Sequence, residues 1–481
     1  MDFEKTFPLR YYINLGRRED RRTELEFHLD QIGVTAERFP AIDSRFCRNP
    51  RGYESKGRYA LALTIRLAIR KAKQQKAPAL LLLKDDATFH PNFRELISRI
   101  DLPDDWRIFY LGCQHTTRPL SHSDGLVKVT RALDSHAWAI HESAYDEVMA
   151  AMDAYNKATP IHALASAQFL AALHQKIPTY ACYPNLAWQS VDHSDLSGTS
   201  FSRYGKVGAQ KIHPHIHKDL LTECLAPQIL DQPPKLGLLF LTRGDVHNPE
   251  IWQEWIDQAP DDVKIFTHAK SPEDLIGGFL DGTQIAEQHE TAWGEISLVK
   301  ASLALLNAAL QDKTLTHFVL VSESCVPVQP LKRILLRLTH DPRSRFRFSD
   351  AENASPTFRF RINSAPEIIV GCWRFHWQWW LLDRTAATMV TRHDHTDKFA
   401  NMFAPDEGYF GTALMLEGYP VDDVVHDKDL TWTHWEKDAG SPNSHPVISS
   451  EHLSEILNSD AFFARKFPKG ADIGTYGLHL E

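Results

Sequence analysis

Lys84, Asp85 and Asp86 end the most hydrophobic segment of the chain, "APALLLLKDD", residues 77–86. Adjacent carboxylates at the end of a buried strand are hard oxygen ligands, and such ligands hold Mg2+ or Mn2+ beside phosphate oxygens. Ligands of open α/β sheets gather at the carboxyl ends of the strands. The pair also has a structural use, in which Asp85 caps the next turn and Asp86 pairs with an arginine such as Arg94. The motif alone does not choose between them. A second apolar run, "THFVLVSESCVPVQPL" (316–331), repeats the plan, but its polar end holds no aspartate. Two further charged groups stand in the second half: Glu407 in "APDEGYFGTAL", which by itself reads as a helix-start carboxylate that the dipole favours, and Arg465 and Lys466 in "FARKF", which by themselves read as a solvated basic pair.

These residues need elements to hold them. Residues 10–15 read as a strand, followed by a charged turn and a helix to about Ile32 with Leu25, Leu29 and Ile32 at helical spacing. "YALALTIRLAIRKAKQQ" is a second helix, broken at Ala77-Pro78, and Leu80–Leu83 is a buried strand. "DWRIFYLG" and "HAWAIHESAYDEVMAAM" repeat the strand and helix theme. The alternation predicts α/β layers with a mostly parallel sheet. Periodicity weakens after residue 200. His213, His215 and His217 there have metal-like spacing, but no acidic or cysteine partner is near, and a polar linker is the simpler reading. Pro233-Pro234 marks a join, and a fresh series begins at Lys235 with "LGLLFLT", "EIWQEWIDQA" and "VKIFTHA". In "WGEISLVKASLALLNAALQ", Ile296, Val299, Leu303, Leu306 and Leu310 form a core-facing stripe. The expected domains are 1–204 and 235–481, with 205–234 as linker.

With 481 residues, 43% hydrophobic and 24% charged, the chain has material for two cores. A formal net charge of −9 argues against a broad nucleic-acid or acidic-membrane footprint. Six scattered cysteines form no C-x-x-C pair, so neither a zinc knuckle nor a disulfide scaffold is expected. "MDFEKTFPLR" has no apolar h-region, and no run is long enough to span a bilayer. The expectation is a cytoplasmic protein, at most peripheral at a membrane.

The order "YYINLGRREDRR", "AERFPAID", "LLLLKDD", "WRIFYLG", "AWAI" resembles glycosyltransferase family 25, the lipooligosaccharide and collagen galactosyltransferase relatives. Ile13, Asn14, Leu15, Arg17, Arg18, Asp20 and Arg21 match its first motif, Arg38, Phe39, Ala41 and Asp43 its second, and Asp85 and Asp86 the end of its third. The resemblance covers residues 10 to about 200. It implies a GT-A fold, a UDP-sugar donor touching Asn14, Arg17, Arg21 and Lys84, and Mn2+ or Mg2+ on Asp85 and Asp86. Two positions depart from the family. Lys84 replaces a glutamate, and Pro160-Ile161-His162 replaces a Pro-x-Asp, which makes His162 the candidate base. A lysine beside a diphosphate replaces part of a metal's charge. Equally, both changes suit a domain that has lost catalysis.

The second half resembles glycosyltransferase family 14, which holds the core-2 and I-branching N-acetylglucosaminyltransferases and the peptide xylosyltransferases. The matching segments run in order: "LGLLFLTRGDV", "IFTHA", "WGEISLVKA", "FVLVSESCVPV", "CWRFHWQWWLLDR", "APDEGYFGTAL", "LTWTHW" and "FARKF". This resemblance implies a GT-A-like, inverting, metal-independent transferase with "SESC" in place of the metal motif. It implies Glu407 as the catalytic base and a donor site at Arg243, His268, Glu323, Arg465 and Lys466. Trp373, Trp377 and Trp379 are acceptor candidates because sugar rings stack on aromatic faces, although core packing is the simpler use of any one of them. The composite expectation is two GT-A-like (Rossmann-like) nucleotide-sugar domains in tandem. They would add galactosyl or glucosyl units, then N-acetylglucosaminyl or xylosyl units, through β-linkages. The acceptor would be an oligosaccharide, a lipid-linked glycan or a glycoprotein. The alternative is one active C-terminal transferase with a degenerate glycan-binding or scaffold domain before it. A metal-dependent phosphohydrolase on Asp85 and Asp86 would leave the second half unexplained.

Overall fold

Residues Ala79–Leu83 are buried throughout and form the strand that delivers Lys84 and Asp85 to a sheet end. A computed structural model describes this chain at residues 1–47, 56–158, 166–190, 193–194, 199–200, 222–223, 232–436 and 441–473. The chain divides into two units, Met1–Cys224 and Leu225–Glu481. Most of 205–234, with its three histidines, lies outside the described residues, as does His162. Among the described residues no helix is long and apolar enough to cross a membrane.

The strands of the first unit are β1 (Leu9–Asn14), β2 (Glu37–Pro40), β3 (Ala79–Lys84), β4 (Ala87–Phe89), β5 (Ile108–His115), β6 (Leu120–Ser123), β7 (Leu126–Lys128), β8 (Ala132–His141), β9 (Thr179–Cys182) and β10 (Ala187–Gln189), with two-residue β11 (His193–Ser194) and β12 (Thr199–Ser200). The main sheet runs β2-β1-β3-β8-β5-β9-β7-β6. It is mixed, which corrects the expected mostly parallel sheet. β1 is parallel to β2 and β3, and β5 to β9, but β8 is antiparallel to both β3 and β5. The hairpin of β6 and β7 turns the chain back before β8, so β8 enters the sheet reversed. A buried apolar run such as "AWAI" has no direction in its pattern, so its sequence cannot report this.

Register sets the site. Ile13 lies opposite Lys84, so the next residues, Asn14 and Asp85, meet at the strand ends. Helix Glu19–Gln31 buries Leu25 and Leu29, and helix Lys56–Gln74 buries Ala60, Ile65, Ala68, Ile69 and Ala72. β10 pairs with β4, Gln189 opposite Ala87, and passes β5 where only glycine fits. A Cβ on Gly112 would lie 1.7 Å from the Ala187 carbonyl oxygen.

The second unit contains β13 (Leu236–Thr242), β14 (Val263–Ala269), β15 (His317–Val321), β16 (Val326–Pro327), β17 (Phe348–Asp350), β18 (Arg374–His376), β19 (Leu381–Asp383), β20 (Thr431–Thr433) and β21 (Phe463–Arg465). Its main sheet, β14-β13-β15-β19, is parallel except for β19. β13 is buried at every residue, and its core includes Trp252, Trp255 and Phe463. Helix Ser297–Leu310 buries Val299 and Leu306 from the expected stripe, together with Ala301, Ala304, Leu305 and Ala309. A small sheet, β16-β21-β20, carries Arg465 to its end. The chain in this unit thus also brings its polar residues to strand termini, after β13, β15 and β21.

Candidate functional site

In the first unit Asn14 organises the strand ends. Its Nδ2 donates to Asp85 Oδ2 at 2.9 Å and to the Arg18 carbonyl at 2.9 Å, while Arg38 Nε donates to its Oδ1 at 3.0 Å. Arg21 Nη1 lies 3.5 Å from Asp85 Oδ1. Asp85 is raised above its ordinary value, first by burial and then by the neighbouring charge of Asp86; Asn14 and Arg21 oppose this. Asp86 Oδ2 accepts from Gln189 Nε2 at 3.0 Å, and its buried Oδ1 has no hydrogen-bond partner. Arg94, the structural alternative partner for Asp86, instead donates to the Ile32 carbonyl at 2.9 Å and pairs with Glu4. Arg17, Arg21, Lys84, Asp85 and Asp86 line one cavity of about 650 Å³, measured with the solvent at its mouth. Arg17 also lies 3.6 Å from Asp43.

The residues fit a divalent ion in a limited way. An unpartnered, buried carboxylate oxygen and a carboxyl raised first by burial and then by its neighbour's charge both favour an added cation. Among the described residues no three His, Cys, Asp or Glu side chains are grouped to hold a metal. Two carboxylates alone suit Mg2+ or Mn2+, which keep waters and take phosphate oxygens.

In the second unit backbone bonds knit three segments. His247 N donates to Glu323 O, and Phe467 N to Ser324 O, both at 2.9 Å. Ser322 to Cys325 form a closed turn, with Cys325 N on Ser322 O. The side chains carried there are Arg243, Glu323, Arg465 and Lys466. Arg465 is depressed by burial, with Cys325 and Glu323 opposing, and its guanidinium lies 4.3 Å from the Trp379 ring centroid. Lys466 is lowered by burial first and then by the charge of Arg465, with Arg243 acting in the same sense and Glu323 against. Lys466 thus feels two like charges and one carboxylate, a balance that an entering anion relieves.

Glu407 ends the one-turn helix Pro405–Glu407. Its Oε2 accepts from Arg361 Nη1 at 2.7 Å. The adjacent Asp406 is buried, and that burial, with the charge of Glu407, raises it to about 7. Loop 377–380 between β18 and β19 links the surroundings of Glu407 to those of Arg465. Trp379 lies under Arg465, while Trp377 meets Phe358, whose ring lies 4.9 Å from the Arg361 guanidinium.

The aromatic expectations divide. Trp373 is fully buried and stacked on Phe375 at 5.1 Å, so it belongs to the core and not to an acceptor surface. Trp379 is spent on Arg465. Trp377 is 44% exposed and stacked at 6.0 Å on Trp435, itself 40% exposed. His268 is fully buried, its Nε2 accepts from His289 N at 2.8 Å, and its buried Nδ1 has no hydrogen-bond partner. Sequence reasoning missed Arg361, Asp406 as a raised carboxyl, and Trp435. Only Trp435 had a signal, its place in the "LTWTHW" segment.

A histidine cluster supports Lys466 from behind. His434, His445 and His452 have ring centroids 4.3 to 6.0 Å apart, and His445 N donates to the Lys466 carbonyl at 2.8 Å. His445 is depressed by burial, then by His452 and His434. A depressed histidine stabilises the fold above its ordinary value, and that contribution is lost as pH falls. Thermal unfolding between pH 7.5 and 5 should therefore show a smaller loss of midpoint on acidification in His445→Gln than in the unaltered chain. Equal losses would contradict the coupling.

Comparison with known proteins bears on the second unit. Residues 237–457 match the family model of the Core-2/I-Branching enzyme. The second unit is thus similar to this family over that span, and Glu407 lies inside the matched span while Arg465 and Lys466 lie past its end. A relative from Oryza sativa subsp. japonica, glycosyltransferase BC10, is 28% identical over 252 residues, covering 44% of this chain and 61% of its own. The chain thus spans less than two thirds of that relative. Among solved structures, a glycosyltransferase involved in glycosylation of the PBCV-1 major capsid has 14% identity and a TM-score of 0.26, covering 36% of this chain and 82% of that one. The WbbM bifunctional glycosyltransferase in its apo form has 7% identity and a TM-score of 0.26, covering 95% and 93%. GlyE of Streptococcus pneumoniae TIGR4 has 8% identity and a TM-score of 0.25, covering 55% and 74%. Scores this low leave the fold to be argued from this chain itself.

Proposed function

We propose that the chain is a bifunctional glycosyltransferase with a GT-A-like donor site in each unit, each using a UDP-sugar to extend a glycan. The observation that carries the second site is that Arg465 and Lys466, at the end of β21, stand beside the Ser322–Cys325 turn that bears Glu323, joined to it by the bond from Phe467 N to Ser324 O at 2.9 Å. Their charge is placed to receive a diphosphate as it departs. Glu407 takes the proton of the acceptor hydroxyl, and inversion at the anomeric carbon follows from a single displacement. Trp377 and Trp435 offer the acceptor an exposed aromatic face. The turn "SESC" brings a single carboxylate, and the three cations carry the charge that a divalent ion would supply. The donor is UDP-GlcNAc or UDP-xylose, and the acceptor an oligosaccharide, lipid-linked glycan or glycoprotein.

In the first site Asp85 and Asp86 would hold Mn2+ or Mg2+, which would supply charge to the diphosphate of UDP-galactose or UDP-glucose. Asn14, Arg21 and Gln189 orient the two carboxylates. Lys84 adds a cation in the same cavity. The second reading, a scaffold first unit, is favoured by Lys84 and His162 standing where the resembled family has acids.

The deciding experiment measures UDP release from UDP-galactose, UDP-glucose, UDP-GlcNAc and UDP-xylose, with and without EDTA, for the full chain and for Asp86→Asn. The expected result is two activities. EDTA and Asp86→Asn each reduce the galactosyl or glucosyl activity at least about tenfold, as loss of a charge clamp does, and leave the other within twofold. Absence of any EDTA-sensitive release would favour the scaffold reading. EDTA-sensitive release from UDP-GlcNAc or UDP-xylose in Asp86→Asn would overturn the metal-independent assignment.

A further inference from the structure

A guanidinium from a separate helix holds one oxygen of the Glu407 carboxylate. Arg361 ends helix Pro356–Arg361 and is 9% exposed. Its Nη1 donates to Glu407 Oε2 at 2.7 Å and, at 3.4 Å, to the carbonyl of Ala404. Ala404 has a φ of 49°, in the left-handed region, and stands directly before the turn Pro405–Glu407. Glu407 N closes that turn on the same carbonyl at 3.2 Å. One guanidinium nitrogen therefore contacts both the entry of the turn and the carboxylate that the turn presents. The guanidinium carbon lies 4.9 Å from the Phe358 ring centroid and 5.6 Å from that of Phe403, contacts that resist its rotation away. Glu407 Oε1 has no hydrogen bond among the described residues.

We propose that Arg361 is a positioning residue for Glu407: it fixes Oε2 and leaves Oε1 as the atom that receives the acceptor proton. This rests on Glu407 being the base. In the step served, the acceptor O–H proton passes to Oε1 and the acceptor oxygen bonds to the anomeric carbon. The bond from that carbon to the diphosphate oxygen breaks, and its electron pair leaves with UDP. A glutamate free to rotate would spend rotamer entropy to reach this geometry, whereas one held from behind has already lost it. A purely structural Arg361 would brace the turn through Ala404 and leave the proton transfer untouched.

A double-mutant cycle separates these roles. Rates of UDP release from the same four UDP-sugars, with water as acceptor, are measured for the full-length chain, Arg361→Met, Glu407→Gln and the double variant. UDP affinity is read by calorimetry. Arg361→Met should lower kcat about tenfold to a hundredfold, with KM for the donor and UDP affinity within twofold. Arg361→Lys, which keeps a charge but not the fork, should recover part of the loss. In the Glu407→Gln background, Arg361→Met should have no further effect. Equal losses in both backgrounds, or a fall in UDP affinity in proportion to kcat, would make Arg361 a structural brace. If Arg361→Met does not fold, Arg361→Lys in the two backgrounds carries the same comparison. Normal turnover by Glu407→Gln would instead sink the base assignment, and this proposal with it. No UDP release from any donor by the unaltered chain would overturn both.

Discussion

Glu407→Gln should reduce turnover at least about a hundredfold while leaving UDP affinity unchanged. Glutamine keeps the shape of the side chain and still offers an oxygen to Arg361 Nη1, which now sits 2.7 Å from Oε2. It has no basicity, so the acceptor hydroxyl loses its proton acceptor. On this proposal the donor is held by Arg243, Arg465 and Lys466 and not by Glu407. The measurement is an initial rate at saturating acceptor beside UDP calorimetry. Near-normal turnover would turn Glu407 into a structural cap and move the search to Asp406, Glu295 and Glu323. The structure ranks Asp406 first among these, because it adjoins Glu407 and its buried Oδ1 has no partner.

Lys466→Ala should act on the other half of the reaction. It removes one of these three cations, so UDP binding should weaken about tenfold to a hundredfold, the worth of a charge-assisted contact. Turnover should fall as well, since the same charge stabilises the leaving diphosphate. The loss should shrink at high ionic strength, because Lys466 is only half-buried and its field is screened. Unchanged UDP affinity by calorimetry at low salt would place the diphosphate elsewhere. Glu407→Gln and Lys466→Ala are thus opposite in signature, one losing rate alone and the other losing binding with rate.

Much of the candidate site was legible before the fold. The two carboxylates after Leu83, the basic pair in "FARKF" and the glutamate in "PDE" are local patterns, and local patterns survive in a linear reading. The strands were legible for the same reason: Leu80–Leu83 and Leu236–Leu241 are apolar enough to be buried wherever they lie. The restart at Lys235 was visible as a change of periodicity, although the histidines and His162 lie outside the described residues.

Tertiary structure decided what depends on partners distant in sequence. The sequence by itself determined that Asp85 stands at a strand end, but Asn14, 71 positions away, determines which oxygen is taken. It supplied four tryptophans in one segment, and packing alone made Trp373 core, put Trp379 under Arg465 and left Trp377 in the open. The direction of β8, the burial of His268 and the grip of Arg361 on Glu407 have no local signature. Apolar periodicity reports that a residue is buried, because water repels it wherever it lies, whereas strand polarity and ion-pair choice are set by which neighbour arrives.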